Sequence, residues 1–241
     1  MKNKRFYLAR LFLLLLVFQA GTLAATPNPP AGVEDPQKLL QKTIDRLINK
    51  LEAQREQIKQ DQSVAYRISD ELIAPYIDFP RIARLVIGKH WRKATNTQKT
   101  KLVEEIRSLL TRSYVTAMTS YTDEIIAYKD RIQYQPSRYK PGDRKASVRA
   151  TVGIGNGQTV EVQYQLYLKD GKWKIYDIRI EGISLALTYR TTFGETIRRE
   201  GLDKLIAQLE ERNRNGDVEL PDAVAKPFRK PAPENSAAAH D

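Results

Sequence analysis

A β-strand that passes through a turn into an α-helix is predicted by the segment Trp173-Lys174-Ile175-Tyr176-Asp177-Ile178-Arg179-Ile180-Glu181-Gly182-Ile183-Ser184-Leu185. The segment carries more apolar side chains than a strand with one solvated face requires. Trp173 and Ile175 share one parity, whereas Ile178 and Ile180 share the other. Either both faces of the strand are covered, or a β-bulge near Tyr176-Asp177 changes the facing. Both interpretations predict an apolar space beside the turn.

Two further strands precede this segment and show the alternation of period two that a half-buried sheet requires. Their apolar side chains are Val148, Ala150, Val152 and Ile154 on the first, and Val160, Val162, Tyr164, Leu166 and Leu168 on the second. Asn156-Gly157 and Asp170-Gly171 predict tight hairpin turns after each of them. Together with a first strand at about 132–139, the pattern predicts an antiparallel meander.

Helical periodicity of three and four residues precedes the sheet and returns after it. Asp35-Pro36 is typical of an N-cap followed by proline at the first helical position. Thr95-Asn96-Thr97-Gln98 has the spacing of a capping box and predicts the start of the longest helix, which continues to about Tyr121. Other helices are predicted at about 65–74, at about 80–87, from Ser184 and from Gly201. The order of helices, sheet and helices indicates the α+β class.

The first 24 residues predict a secretory signal peptide. A basic start is followed by an apolar run, Leu11 to Val17, that is too short to span a bilayer. Cleavage is expected after Ala24, which leaves a spacer at 25–35, one domain at 36–212 and a disordered tail at 213–241. The chain contains no cysteine, so neither disulfides nor a lipoprotein anchor is expected.

The composition is basic, with a formal net charge of +11, four of which lie in the predicted signal peptide. In an exported protein this charge favours attraction to anionic lipid surfaces or acidic partner proteins, or it serves only to solvate helical surfaces. Tyrosines interleave with arginine and lysine between Tyr128 and Tyr139. Export argues against nucleic-acid stacking there, and these side chains are interpreted as strand tyrosines.

Gly182-Ile183-Ser184-Leu185-Ala186 is close to the nucleophile elbow of hydrolases and lies between a strand and a helix. A nucleophilic serine needs a base, and the only histidines are His90 and His240. A helix cap is the simpler role for Ser184. With no cysteine and two distant histidines, no metal site built on those side chains is predicted, and a site of carboxylates alone stays open. Gly153-Ile154-Gly155-Asn156-Gly157 is followed by a strand and not by a helix, which argues against a phosphate-binding loop.

The chain resembles the MlaC family of periplasmic phospholipid carriers, also called toluene-tolerance proteins, over its mature length to about Arg212. The resemblance is carried by Phe79, Ala83-Arg84-Leu85, Gly88-Lys89-His90-Trp91-Arg92-Lys93-Ala94-Thr95, Tyr114, Tyr164, the segment 173–185, Tyr189-Arg190-Thr191-Thr192-Phe193, Gly201 and Leu205-Ile206. The Pro/Ala-rich tail matches no motif of the family.

The resemblance implies a strongly curved sheet, similar to the NTF2-like arrangement, with helices closing a deep apolar pocket. Proteins like this carry phospholipid across the periplasm between an outer-membrane lipoprotein-porin complex and an inner-membrane ABC transporter with a hexameric MCE-domain subunit. They thereby maintain the lipid asymmetry of the outer membrane. The phospholipid is cargo, and neither catalysis nor a cofactor is expected. A monomer is expected.

The pocket lining expected within that fold combines the sheet, the turn and one wall of the longest helix. Its residues are Leu110, Tyr114, Met118, Val148, Val152, Val162, Tyr164, Leu166, Ile178, Ile180 and Ile183. Trp91 and Trp173 are assigned to packing, and Arg190 to phosphate or to a partner's carboxylates. The pattern does not separate a lined pocket from a filled core. Two other functions stay open: an ester or lipid hydrolase that uses Ser184, and a basic membrane-surface adaptor without enclosed lipid.

Overall fold

The computed structural model describes residues 33–155 and 157–216. The predicted signal peptide, most of the spacer, Asn156 and all but the start of the predicted tail lie outside them. The α-helices of this described part are α1 (Pro36–Ala53), α2 (Arg55–Gln60), α3 (Ser63–Leu72), α4 (Phe79–Ile87), α5 (Asn96–Ser120), α6 (Thr122–Ala127), α7 (Leu185–Glu200) and α8 (Leu202–Asn215). Short 3-10 helices lie at Ala74–Tyr76, Gly88–Lys93 and Lys129–Arg131.

The predicted caps begin the predicted helices. The Asp35 carboxylate accepts hydrogen bonds from the backbone N–H groups of Gln37 (2.8 Å) and Lys38 (3.0 Å) at the start of α1. Thr95 and Gln98 form the reciprocal capping box of α5, with both hydrogen bonds in place. These caps satisfy N–H groups that have no partner inside a helix.

The pattern did not reveal α2 and α6, which flank better-defined helices. Each has only six residues, less than two turns, so no repeated apolar stripe can be recognised. Ile58 of α2 and Thr122 of α6 are nevertheless buried. These short helices are therefore held by tertiary packing, as expected for segments too short to be stable alone.

The five strands form one open antiparallel sheet in the order β1-β2-β3-β4-β5. They are β1 (Ile132–Tyr134), β2 (Lys145–Gly155), β3 (Gln158–Lys169), β4 (Lys172–Ile180) and β5 (Ile183–Ser184). The α+β class with an antiparallel meander is confirmed. The pairing of Gly155 with Gln158 leaves two residues between β2 and β3, which is the loop length predicted there.

The chain does not pass directly from β4 into a helix, contrary to the prediction. Glu181 and Gly182 have φ angles of +49° and +77°, the left-handed conformation that two-residue hairpin turns require. The turn reverses the chain, and Ile183 pairs with Ile180 before α7 begins. Asp170 and Gly171 have the same combination of positive φ angles at the predicted turn between β3 and β4.

Strand β1 is shorter than the predicted 132–139 and ends at Tyr134. The backbone N–H of Gln135 still donates to the carbonyl of Arg149, over 3.0 Å. Pro136 follows, and because proline has no N–H it cannot continue the ladder. At the other end of the domain α8 extends to Asn215, beyond Arg212, and the Asn213 side chain donates to the Glu105 carbonyl oxygen at 3.0 Å.

A helical core forms where α5 packs against α8, α4 packs against α7, and α7 packs against α8. The helical core is defined as the buried cluster of Phe79, Ala83, Val86, Ile87, Leu102, Ile106, Leu109, Leu110, Ala186, Tyr189, Phe193, Ile197, Leu205, Ile206 and Leu209. Two further clusters lie apart from it. One is formed by α1 to α3 and α5, and the other by the sheet with α1.

Candidate functional site

A β-bulge gives the sheet a uniformly apolar side. Gln165 of β3 pairs with Asp177, but the next residue, Leu166, pairs with Ile175. Tyr176 is therefore the extra residue, and the facing of β4 changes there. The bulge places Trp173 and Ile175 on the same side as the following apolar residues of the strand. This confirms one of the two interpretations of the strand's parity.

We call this side the inner face. Cross-strand partners in an antiparallel sheet point to the same side, so the register defines its members. They are Ile132, Tyr134, Ala146, Val148, Ala150, Val152, Val160, Val162, Tyr164, Leu166, Leu168, Trp173, Ile175, Ile178 and Ile180. None carries a charge. Helix α1 packs against this face through Leu40, which joins the sheet cluster.

The inner face contains two kinds of position. Side chains such as Val148, Leu166 and Trp173 are at most 3% exposed. Others are only half-buried, and most of these lie in the cross-strand rows nearest the Ile180 end of the sheet: Ile132, Tyr134, Val152, Tyr164, Ile178 and Ile180. Part of the apolar inner face is therefore accessible at this end of the sheet, which is the arrangement that a binding cleft requires.

The environment of Tyr164 is a second observation on the accessible end of the inner face. Burial raises the pKa of its hydroxyl to about 12, because the phenolate would be surrounded by protein. Part of the side chain is nonetheless accessible. Tyr164 thus lies at the boundary between buried protein and accessible space. The same combination applies to Tyr134, whose pKa is raised by burial and by the nearby Tyr164 and Asp45.

The structure separates the predicted lining residues into groups. Val148, Tyr164, Leu166 and Ile178 lie together in the sheet cluster. Met118 and Tyr114 belong to the cluster of α1 to α3 and α5, where the Tyr114 hydroxyl is 2.6 Å from that of Ser69. Leu110 packs in the helical core. Val152, Val162 and Ile180 share the inner face with the first group.

Ile183 lies at the edge of the sheet, opposite Ile180, and is 41% exposed. Leu187, in the first turn of α7, is 52% exposed. The accessible end of the inner face therefore continues into an exposed apolar edge at β5 and the start of α7.

The two tryptophans have packing roles, as assigned. Trp173 is 3% exposed, donates its ring N–H to the Glu34 carbonyl at 2.9 Å and meets Tyr139 edge-on. Trp91 packs against the helical core. Strand β1 contributes Ile132 and Tyr134 to the inner face, and neither was among the predicted lining residues. Its alternation is visible in the sequence, but three residues are too few to indicate which side faces inward.

Ser184 caps α7. Its hydroxyl accepts from the Leu187 backbone N–H at 3.1 Å and donates to the Asp177 carboxylate at 2.8 Å. The same carboxylate accepts from the Ala186 N–H at 3.2 Å. Both hydrogen bonds of the Ser184 hydroxyl are structural. Its acidic neighbour, Asp177, is not a base of the kind that a serine nucleophile uses.

Arg190 lies over the backbone of Gly88. A Cβ atom at position 88 would be 2.5 Å from the arginine Nε atom, and Gly88 has a φ of +59°. The contact connects two of the motifs that carry the family resemblance. Burial lowers the pKa of the nearby His90, and the positive charges of Lys89, Lys93 and Arg198 around it lower the pKa further. The region is thus a basic surface next to the helical core.

Other features of the described residues do not form a competing site. A groove of about 430 Å³ between α5 and α8 is crossed by hydrogen bonds from Gln98 to Asp203 (2.8 Å) and from Lys101 to Glu210 (3.0 Å). No group of three or more histidine, cysteine, aspartate or glutamate side chains in residues 33–155 and 157–216 could hold a metal ion. No helix there is long and apolar enough to cross a membrane.

Comparison with known proteins places the chain among lipid-binding proteins. The model of the MlaC protein family matches residues 41–211. The toluene tolerance protein ttg2D of Pseudomonas putida is 29% identical over 187 residues, which are 76% of this chain and 84% of that protein. The intermembrane phospholipid transport system binding protein MlaC of Haemophilus influenzae is 22% identical over 179 residues, 73% and 81% of the two chains.

A solved structure has the same fold. It is a phospholipid-binding protein from Ralstonia solanacearum in complex with a phospholipid, with a TM-score of 0.64 and 27% identity. The match covers 76% of this chain and 99% of that one. The matched part of the present chain therefore spans nearly the whole of that solved chain.

Proposed function

The chain belongs to the MlaC family, and from this premise we propose that it is a periplasmic carrier that binds phospholipid against the inner face of its sheet. The acyl tails occupy the space between this face and the helices. The headgroup stays near the exposed edge formed by Ile183 and Leu187. The solved relative from Ralstonia solanacearum, which holds a phospholipid, supports the choice of ligand.

One observation carries the proposal: the inner face is uncharged and apolar, yet several of its side chains remain accessible. Ile178 and Val152 are half-buried, although both point to the side of the sheet against which α1 packs. The buried residues of the sheet also form a cluster separate from the helical core, whereas a small domain ordinarily has one contiguous core. An acyl chain is the ligand that such a surface favours.

The energetics of carriage match this surface. Burying one methylene is worth about 0.8 kcal/mol, so two tails of about 15 methylenes represent about 25 kcal/mol that water does not provide. A carrier must offer the tails an apolar area similar to that of the bilayer, without binding the headgroup tightly. The absence of charged side chains from the inner face, among the residues described, meets that condition, and weak headgroup selectivity is expected.

For the wider pathway we propose transfer between an outer-membrane lipoprotein-porin complex and an inner-membrane ABC transporter with an MCE-domain hexamer. This role maintains the lipid asymmetry of the outer membrane. It is supported by the Haemophilus influenzae relative, which is named as the binding protein of an intermembrane phospholipid transport system, and by the predicted signal peptide. Carriage rather than ester hydrolysis is favoured by the cap contacts of Ser184.

The first test is whether the protein purified from cells carries phospholipid. An organic extract of the purified protein, analysed by mass spectrometry, should contain phospholipid in a fixed molar ratio to the protein. Repeatedly empty protein would overturn the carrier proposal and favour the membrane-surface adaptor.

The second test places a carboxylate on either side of the same sheet. Ile178→Asp and Val152→Glu should each abolish lipid recovery while the helical circular dichroism signal persists. Gln163→Glu is the matched control, since position 163 points to the opposite side and lies between Arg149 and Arg179 in the register. If the two inner-face variants unfold, those side chains belong to an ordinary core.

A further inference from the structure

Polar side-chain atoms are scarce on the inner face. Of its residues, Trp173, Tyr134 and Tyr164 alone carry one. The Trp173 ring N–H is already bonded to the Glu34 carbonyl. Two phenolic hydroxyls therefore remain as the hydrogen-bonding groups that this otherwise apolar surface can offer to a ligand.

The Tyr134 hydroxyl is buried and has no hydrogen-bond partner. Buried tyrosine hydroxyls ordinarily have one, because leaving a buried polar group unpaired costs about 1–3 kcal/mol. A hydroxyl on a half-accessible side chain that borders an interior space can instead be satisfied by whatever fills that space. The missing partner thus points to a ligand atom.

The register brings the second tyrosine near the first. Tyr134 on β1 lies opposite Ala150 of β2, and Tyr164 of β3 lies opposite Val148, the next inward-facing residue of β2. The two tyrosines therefore lie diagonally across β2, on neighbouring cross-strand rows of the inner face. Ala150, which lies on β2 between the two strands that carry them, is 2% exposed and has one of the smallest side chains of the inner face. A charge on Tyr164 would raise the pKa of Tyr134, as expected for neighbouring hydroxyls.

The chemistry of the pair selects the acceptor. Both hydroxyls stay protonated at neutral pH, because the ordinary tyrosine pKa of about 10 already lies well above it, and burial raises both pKa values further. They are uncharged donors with no cation beside them on the inner face. A phosphate would lose its hydration there without gaining a counter-charge. An ester carbonyl is a neutral acceptor, and a diacyl phospholipid carries two of them between its tails and its headgroup.

We propose that the hydroxyls of Tyr134 and Tyr164 donate hydrogen bonds to the glycerol ester carbonyls of the bound lipid. This inference rests on the proposed function and specifies which part of the lipid the protein recognises. It places the glycerol region at the level of Ala150, the tails along the apolar rows, and the headgroup beyond the uncharged face. Recognition of the esters, which all diacyl phospholipids share, gives a defined depth of binding without selecting a headgroup.

The test compares a diacyl phosphatidylcholine with the diether phosphatidylcholine of the same chain length, which lacks both carbonyls. The protein, freed of endogenous lipid, is incubated with vesicles containing equal amounts of the two lipids, separated from them and extracted for mass spectrometry. The wild type is expected to take up the diacyl lipid in about 25-fold excess, because each of the two net hydrogen bonds provides a factor of about five.

Tyr134→Phe should reduce that excess and Tyr134→Phe/Tyr164→Phe should bring the ratio close to one, with total bound lipid maintained because both rings remain. Tyr176→Phe is the matched control: this tyrosine packs edge-on against Tyr167, whose parity is opposite to that of the inner face, and the variant should keep the wild-type ratio. Circular dichroism checks that each variant is folded.

Equal uptake of the two lipids by the wild type would overturn the inference while leaving the carrier function intact. A diacyl preference that persists in the double variant would overturn it as well. Uptake of neither lipid would contradict the proposed function itself, and the inference with it.

Discussion

The helical core and the inner face of the sheet are equally apolar in sequence and differ in how they are filled. Leu102, Ile106 and Leu109 of the helical core are at most 1% exposed. Ile178 and Val152 of the inner face are half-buried. The difference teaches that apolar content alone does not indicate the role of a surface. The two regions differ in whether the element that packs against them excludes water from their apolar side chains.

The largest expected effect tests this difference through stability. Leu109→Ala should lower the free energy of unfolding by about 2–5 kcal/mol, because a buried leucine leaves a cavity that helices cannot easily close. Ile178→Ala should lower it by about 1 kcal/mol, because part of its surface is accessible already. Urea unfolding of the lipid-free variants, followed by circular dichroism, measures both.

Lipid recovery should show the reverse order. Ile178→Ala should reduce the phospholipid extracted per folded molecule, and Leu109→Ala should leave it near the wild-type value. Equal losses of stability in the two variants would mean that the inner face is packed like the helical core, and the distinction between the regions would fail.

The next largest effect concerns the tight contact between Gly88 and Arg190, beside the helical core. Gly88→Ala should destabilise the protein by about 1–3 kcal/mol. Alanine rarely adopts the φ of +59°, and its Cβ would meet the Arg190 guanidinium. The double variant Gly88→Ala/Arg190→Ala removes the collision but keeps the backbone strain. It should therefore be more stable than the sum of the two single variants predicts, as measured by urea unfolding.

A smaller effect is expected where the sheet passes into the helices. Ser184→Ala should cost about 1 kcal/mol through loss of the α7 cap. Thr191→Ala, an exposed change on the same helix, should stay within about 0.5 kcal/mol of the wild type. Hydrolysis of a chromogenic fatty-acid ester should be at background level in the wild type. Activity in the wild type that Ser184→Ala removes would instead identify the serine as a nucleophile.

Much of the fold that underlies this comparison was predictable from the sequence. The caps at Asp35 and Thr95, the turn at Asp170-Gly171 and the stripes of the long helices are local signals, and local hydrogen bonding realised them as predicted. The bulge at Tyr176 was one of two interpretations of the parity change. It became unambiguous only through the pairing with β3, which is not local in sequence.

Other features depend on tertiary contacts that the pattern does not contain. The two-residue strand β5 exists because Glu181 and Gly182 reverse the chain onto β4, and a glycine alone did not distinguish this turn from a direct path into α7. Whether Leu110 faced the sheet or the helices was likewise open, because α5 is buried on more than one side. The inward orientation of Tyr134 is defined by its pairing with Ala150.

The smallest effect is expected at Asp78, which joins helix α4 to the side of the sheet opposite the inner face. Its carboxylate caps α4 by accepting from the Arg81 N–H at 2.9 Å, and it also accepts from the Tyr167 hydroxyl of β3. Burial would raise the pKa of Asp78, but these hydrogen bonds and the nearby Lys169 lower it below its ordinary value. The carboxylate therefore stabilises the fold above the unfolded pKa of about 3.9, and this contribution is lost as the pH falls through the lower, folded value.

Asp78→Asn should consequently have a lower midpoint of thermal unfolding than the wild type at pH 7, and the gap should narrow as the pH is reduced below about 4. Asp61 and Asp123 also have lowered pKa values, but they are present in both proteins and their contributions cancel in the difference. Thermal unfolding between pH 3 and pH 7 measures the gap. A gap that stays constant over this range would mean that the ionised carboxylate does not connect α4 to the sheet, and that these two elements are joined by packing alone.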